Sequence, residues 1–165
     1  VDRLQQALQI YRMRSQAIQP AIDAYSPHDV VREIHDRAVA LARGRIRVEA
    51  VLAPDLPEIW FFDRDLVEMA LINAIHNSLT YARSSLRIEA DSVDGYLALT
   101  VRDDSPGYPD PILAGVATAT PGHAKGSGLG LQFSRLIAQS HDNQDRRGEL
   151  RLYNDQGAVF SLFLP

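Results

Sequence analysis

Asn73 and Asn77 stand four residues apart in the run Leu71–Ala82, LINAIHNSLTYA. In a helix that spacing puts both amides on one face, because side chains at i and i+4 stack above each other. Leu66, Met69, Ala70, Leu71, Ile72, Ala74 and Ile75 supply enough apolar surface to bury the helix, so the amides must meet a polar pocket or hydrogen-bonding partners. A buried, mutually satisfied amide pair and a ligand site both meet that requirement. A second candidate is Asp103-Asp104-Ser105-Pro106-Gly107. A carboxylate at a strand end can accept a hydrogen bond from an exocyclic amine, while a Pro-Gly turn lets the backbone approach a flat ring closely. A plain acidic turn would carry the same residues. The third is Gly126-Ser127-Gly128-Leu129-Gly130-Leu131, where glycines open a helix whose first N–H groups and positive dipole end suit a phosphate. It matches neither GxxxxGK[ST] nor a GxGxxG directly after a strand, which excludes the two best-known nucleotide loops.

The elements that must position these residues follow from periodicity. Ser26-Pro27 gives an N-cap and a proline at the first helical position, opening a helix through Leu41 with Val30, Val31, Ile34, Ala38 and Leu41 on its buried face. Strands are expected at Ile46–Leu52 and Glu58–Phe62, with Asp63 or Asp65 capping the asparagine helix. Leu86–Ala90 and Tyr96–Val101 alternate about the turn Asp94-Gly95, a hairpin that runs into Asp103. Residues 106–125 lack periodicity, and a loop of that length in a compact domain is expected to be functional, here a lid. A helix from Ser127 to Ser140 follows, buried through Leu129, Leu131, Phe133, Leu136 and Ile137, then an exposed turn over His141–Arg147. Glu149–Tyr153 and Ala158–Leu164 close the domain as a hairpin. Strands and helices mix without a regular βαβ repeat, so the class is α+β.

Upstream, Leu4, Leu8, Tyr11, Ser15 and Ile18 step by fours and threes, the seam of a helix that packs on another helix. The chain opens in the middle of that pattern and is expected to be a fragment of a longer protein. Its 165 residues suffice for one domain that buries roughly 68–70% of its unfolded surface. With no cysteine there is no disulfide framework, thiolate zinc site or cysteine nucleophile. A net charge of −4 with dispersed Lys and Arg argues against a nucleic-acid platform. No apolar run approaches about 18 residues and no signal-peptide pattern opens the chain, so no direct membrane contact is expected and a cytoplasmic setting is the default.

In order and spacing the three stretches resemble the nucleotide-binding boxes of the GHKL ATPase superfamily, which includes DNA gyrase, heat-shock-90 chaperones, sensor histidine kinases and MutL-type mismatch-repair proteins. The resemblance is strongest to the catalytic and ATP-binding domain of bacterial sensor histidine kinases. The family's Asn-Leu-Leu-x-Asn-Ala box aligns with Asn73–Ser78, its Asp-x-Gly-x-Gly box with Asp103–Gly107, and its Gly-x-Gly-Leu-Gly-Leu box with Gly126–Leu131. The resemblance implies a two-layer α/β sandwich of the Bergerat type, with a mixed, largely antiparallel sheet covered on one face by helices. It assigns residues 20–165 to the catalytic domain, with 106–125 as the ATP lid, and 1–19 to the end of a dimerisation and phosphotransfer helix.

It further implies ATP and Mg²⁺ as ligands, with Asn77 holding the metal, Asp103 reading the adenine amine, and Gly126, Gly128, Leu129, Gly130 and Leu131 packing the triphosphate. Gly107 and Tyr81 complete the nucleotide contacts. Mg²⁺ prefers oxygen ligands and few protein groups, which a neutral Asn carbonyl suits. Hydrolytic relatives carry glutamate where Asn73 stands, and an amide cannot take a proton from water, so Asn73 favours phosphoryl transfer over hydrolysis. The implied partners are the dimerisation and histidine-phosphotransfer domain, within a homodimeric parent, and a response regulator receiver domain.

Departures from the pattern are part of the reading. Ser105 replaces a glycine and is expected to crowd the ring edge, Thr80 stands where many kinases have a phosphate-contacting lysine, and the lid lacks a Phe-x-x-Phe segment. Lys125, His123 and Arg83 are candidate substitutes for the lost cation. Asp104 and Glu68 are conceivable stand-ins for a general base. His28-Asp29, His35-Asp36 and His141-Asp142 lack the basic residue and proline of a phosphoacceptor box, so all five histidines are expected to be ordinary side chains. A degenerate domain that docks a response regulator or partner kinase without ATP is the alternative. A hydrolytic ATPase or an anti-sigma-type serine kinase is disfavoured by Asn73.

Overall fold

A computed structural model describes residues 18–115 and 128–165. The upstream seam from Leu4 to Ser15, Lys125, Gly126 and His123, and the end of the expected lid lie outside the described residues.

The chain enters through β1 (Asp23–Tyr25), which pairs antiparallel with β3 (Trp60–Phe62) in a small ribbon apart from the main sheet. Helix α1 (Pro27–Ala42) starts as expected, with Ser26 Oγ accepting from Asp29 N–H at 3.4 Å and proline in the first turn. Its buried face differs by one position. Ala42 is buried where Leu41 was expected, and Leu41 is exposed. The helix stops at Arg43, which adopts the left-handed conformation.

Helix α2 (Arg64–Tyr81) carries both asparagines. Asp63, not Asp65, caps it, its Oδ1 accepting from Leu66 N–H at 3.0 Å. Val67, Ala70, Leu71, Ala74, Ile75 and Ser78 are buried. Each large apolar side chain buried here contributes about 2 kcal/mol.

The main sheet has the order β2-β4-β5-β9-β8. Here β2 is Arg47–Leu52, β4 Ser85–Val93, β5 Tyr96–Asp103, β8 Glu149–Asn154 and β9 Ala158–Leu164. Only the β2–β4 pair is parallel. The β4–β5 hairpin turns at Asp94 and Gly95, both at positive φ, as a two-residue loop of this kind requires. Register aligns Leu97 with Leu164, Leu99 with Leu162 and Val101 with Phe160, all buried on the face that carries the helices. Asp103 has the same parity as these residues, whereas Arg102 and Asp104 point to the other side. The result is the expected α+β architecture, two layers with one sheet face bare.

Beyond Asp103 comes one helical turn, α3 (Asp110–Leu113), inside the stretch expected to lack periodicity. Helix α4 (Leu129–Ser140) begins two residues later than expected, at the left-handed Gly128, and packs Phe133, Ser134, Ile137 and Ala138 inward. Leu129 and Leu131 are partly buried against the core. Leu136 is only half-buried, and Ala138 takes the core position beside Ile137. The expected exposed turn after α4 is a miniature hairpin, β6 (Asp142–Asn143) with β7 (Arg146–Arg147), and His141 before it is buried.

Candidate functional site

Helix α2 and the start of α4 meet at the asparagines. A Cβ built on Gly130 would lie 3.6 Å from the amide carbon of Asn73, in ordinary contact, so α4 packs against the asparagine helix at this position. Asn77, one turn further along α2, is partly exposed. Gly128 caps α4 without a side-chain bond, and no atom of the described residues lies within 4 Å of its Cβ position. Among the described residues no side chain caps the first N–H groups of α4, an arrangement that favours an anion.

Asp103 ends β5, with the parity of the residues on the sheet face that carries the helices. Asp104, which follows it, accepts from the N–H groups of Arg83 at 2.8 Å and Ser84 at 3.0 Å and from the Ser84 hydroxyl at 2.6 Å. These bonds tie the exit of α2 to the end of β5. Partial burial works against the Asp104 carboxylate, but the Ser84 hydroxyl and the N–H groups of Ser84, Ser85 and Arg83 outweigh it and hold the carboxyl well below the usual range. Asp104 is thus a structural anchor on the opposite side of the strand from Asp103. Glu68 is likewise engaged, with Arg64 at 2.7 Å and Arg37 at 3.4 Å. Both carboxylates considered as conceivable bases are thus already engaged by neighbouring donors.

Asp103 itself is buried, and its two hydrogen bonds fall on one oxygen: Oδ1 accepts from Ser105 N–H at 2.9 Å and from Ala158 N–H at 3.2 Å. Oδ2 accepts no hydrogen bond from the described residues. The turn beyond is built around Ser105. Its hydroxyl accepts from Gly107 N–H at 3.1 Å, so the side chain folds into the turn instead of outward to a ring edge as expected. Gly107 has φ +96°, and a Cβ there would meet the Asn154 side chain at 2.6 Å. Asn154 holds the next residue at both ends, accepting from Tyr108 N–H at 2.7 Å and donating to Tyr108 O at 3.0 Å. Burial, with the nearby Asp103 charge, pushes the Tyr108 phenol up.

Of the remaining expected residues, Tyr81 is exposed at the end of α2, and Thr80 gives its hydroxyl to His76 O at 2.8 Å. Asn154, Gly157 and His141 carry no signal of these roles in the sequence. Asn154 and Gly157 flank an ordinary hairpin turn, and no local spacing connects them to Asp103.

A depression of about 420 Å³ opens near Asp103 and Asp104 beneath the bare sheet face, lined by Arg47, Glu49, Arg87, Glu89, Arg102 and Asp155. Its charges are paired with one another: Glu49 with Arg47 and Arg87, Glu89 with Arg87 and Arg102, and Asp155 with Arg102. Each of the three arginines that line it therefore has a carboxylate partner.

Comparison with known proteins converges on one group. A family model described as histidine kinase-, DNA gyrase B- and HSP90-like ATPase matches residues 62–165, more than half of the chain. The signal transduction histidine-protein kinase AfsQ2 of Streptomyces coelicolor is 34% identical over 107 residues, covering 60% of this chain. The chain spans about a fifth of the length of that relative, 19%. Full-length ShkA in complex with AMPPNP has a TM-score of 0.82 at 19% identity, over 97% of this chain and 34% of that one. The histidine kinase AdeS of Acinetobacter baumannii has a TM-score of 0.72 at 18% identity, over 98% of this chain and 75% of that one. A nucleotide-free catalytic domain of the histidine kinase ThkA has a TM-score of 0.71 at 19% identity, over 87% of this chain and 97% of that one. At these identities the structural likenesses speak for the fold.

Proposed function

The chain belongs to the histidine kinase-, DNA gyrase B- and HSP90-like ATPase family, and from that membership we propose that it is the ATP-binding kinase domain of a two-component sensor histidine kinase. It passes the γ-phosphoryl group of ATP to a histidine on an upstream dimerisation domain, in a homodimeric parent that signals to a response regulator receiver domain. Residues 1–19 would be the end of the upstream helix, residues 20–165 the catalytic domain and residues 106–125 its ATP lid, in a cytoplasmic setting. The observation that carries the reading is Asp103, buried and fixed through Oδ1 alone, with Oδ2 left to accept from an adenine amine.

In this reading Gly107 lets the turn approach the ring, and Tyr81 stands at the open end of α2. Lys125, Gly126 and the run Gly128–Leu131 take the triphosphate, with the α4 N–H groups as donors. Asn77 supplies an oxygen to Mg²⁺. A single neutral amide oxygen suits an ion that keeps water and phosphate oxygens as most of its shell. When bound, the ion would neutralise phosphate charge. Asn73 orients without abstracting a proton, which favours transfer to a positioned histidine over attack by water.

Calorimetry with ATP, with and without Mg²⁺, tests the proposal. Asp103→Asn retains an oxygen for Ser105 and Ala158 while replacing Oδ2 with a donor, so it should weaken binding by roughly tenfold or more with the fold intact. Asn77→Ala should remove the Mg²⁺-dependent part. Absence of binding at millimolar nucleotide would favour the docking-module alternative, and a parent-like Asp103→Asn would overturn the adenine assignment.

A further inference from the structure

The two helices that form the site touch at a second place, far from the nucleotide boxes. His141, at the end of α4, is 2% exposed and bonded at both ring nitrogens. Nδ1 lies 2.8 Å from Ile137 O, a carbonyl that can only accept, so Nδ1 carries the proton. Nε2 accepts from Asp63 N–H at 3.0 Å. The imidazole is therefore neutral, in one tautomer, and joins the end of α4 to the N-cap of α2. Asp63 also holds the incoming chain, its Oδ2 accepting from Ala21 N–H at 2.8 Å.

At about 1.5 Å per residue, Asn73 lies roughly 15 Å along α2 from Asp63, and Gly130 lies roughly 16 Å along α4 from His141. The helices run antiparallel, and these nearly equal spans mean that the His141–Asp63 bond and the Gly130–Asn73 contact are two ends of one registration. Sliding α4 at one end displaces the glycine box from the asparagines at the other. We propose that His141 is a positioning residue for the nucleotide site, acting through Asp63: its neutral ring fixes the register of α4 on α2, and a proton on Nε2 releases that register and weakens nucleotide binding. The proton turns the acceptor facing Asp63 N–H into a donor, leaving a donor against a donor. Burial opposes the charged ring and lowers its pKa, while the Ile137 carbonyl and the negative charges of Asp63 and Asp142 favour the proton without prevailing.

This inference rests on the reading of the three boxes as an ATP site, and the test separates the two. Binding of a fluorescent ATP analogue with Mg²⁺ is measured between about pH 8 and pH 5.5 for the parent, His141→Phe and His141→Gln, with the His141 titration followed by NMR. The terminal phosphate of the analogue itself titrates near pH 6, so the difference between parent and variants is decisive. His141→Phe should bind roughly fivefold more weakly at pH 8, as expected for one lost buried bond, and show only the phosphate's own pH step. His141→Gln, whose side-chain oxygen can take the Asp63 N–H, should restore most of the affinity without the extra step. A folded variant that keeps the parent's full pH step, or a Phe variant that binds like the parent, overturns the proposal. If His141→Phe does not fold, the Gln variant decides by the same criterion. Should the parent bind no nucleotide at any pH, the ATP reading falls and NMR decides this one: Asn73 and Gly130 signals that titrate with His141 uphold it, and static signals overturn it.

Discussion

Gly157 sits so close to Asp103 that a Cβ on it would lie 1.8 Å from the Asp103 carbonyl oxygen. The closest neighbours are backbone atoms, which cannot swing aside, and φ of +153° at Gly157 adds strain for any L side chain. Gly157→Ala is therefore expected to cost about 1–3 kcal/mol or more in urea unfolding. It should also weaken ATP binding in the surviving folded protein, because Ala158 N–H, the next donor along, helps fix Asp103 Oδ1. A variant with parent stability would contradict the close approach.

Ser105→Gly returns the second box to the family pattern and should nonetheless destabilise the domain. The serine hydroxyl satisfies Gly107 N–H, and Ser105 is not at positive φ, so glycine gains no conformational relief and adds freedom to the unfolded chain. A loss of about 1 kcal/mol in chemical denaturation is expected. Increased stability would show that the serine strains the turn.

Acid should erode stability in two stages. The folded pKa of His141 is lowered, so the unfolded chain takes the proton first, and the contribution present above about pH 6.5 is lost as pH falls toward the folded value. Asp104 is also lowered, so its contribution is whole above about pH 4 and declines below it. Urea midpoints measured against pH should show both declines. His141→Gln should remove the first and Asp104→Asn should reduce the second.

Legibility in the sequence followed the distance over which a residue acts. The asparagine pair, the Asp94-Gly95 hairpin and the Ser26 cap are local patterns, and each occurs in the structure where its spacing places it. The ribbon strand β1 was missed because three residues, Asp23–Tyr25, are too few to show alternation without knowledge of their partner β3. Periodicity sets a helix's face only to within a residue near its end, which is why it points to Leu41 where Ala42 packs instead. His141 looked like part of a polar turn, since its role depends on Asp63, far back in the chain, which no window contains. Asp104 and Glu68 read as conceivable stand-ins for a base because two of their partners, Ser84 and Arg37, come from distant parts of the chain, although Arg64, four residues before Glu68 on the same helix, is a local pairing the spacing already shows.

The bare face of the sheet bears on the behaviour of the protein in crowded solution. Flat sheet surfaces are templates for self-association, and the β2–β4–β5 part of this one carries Arg and Glu side chains that neutralise one another. Because the ladder is balanced, it repels a second copy through its held water more than through net charge, and moderate salt should leave that protection largely intact. Replacing Arg87 and Glu89 together by valine would keep the β propensity of β4 and the net charge while drying the surface. Light scattering should then report colloidal aggregation at concentrations where the parent stays clear, with secondary structure unchanged in the soluble fraction.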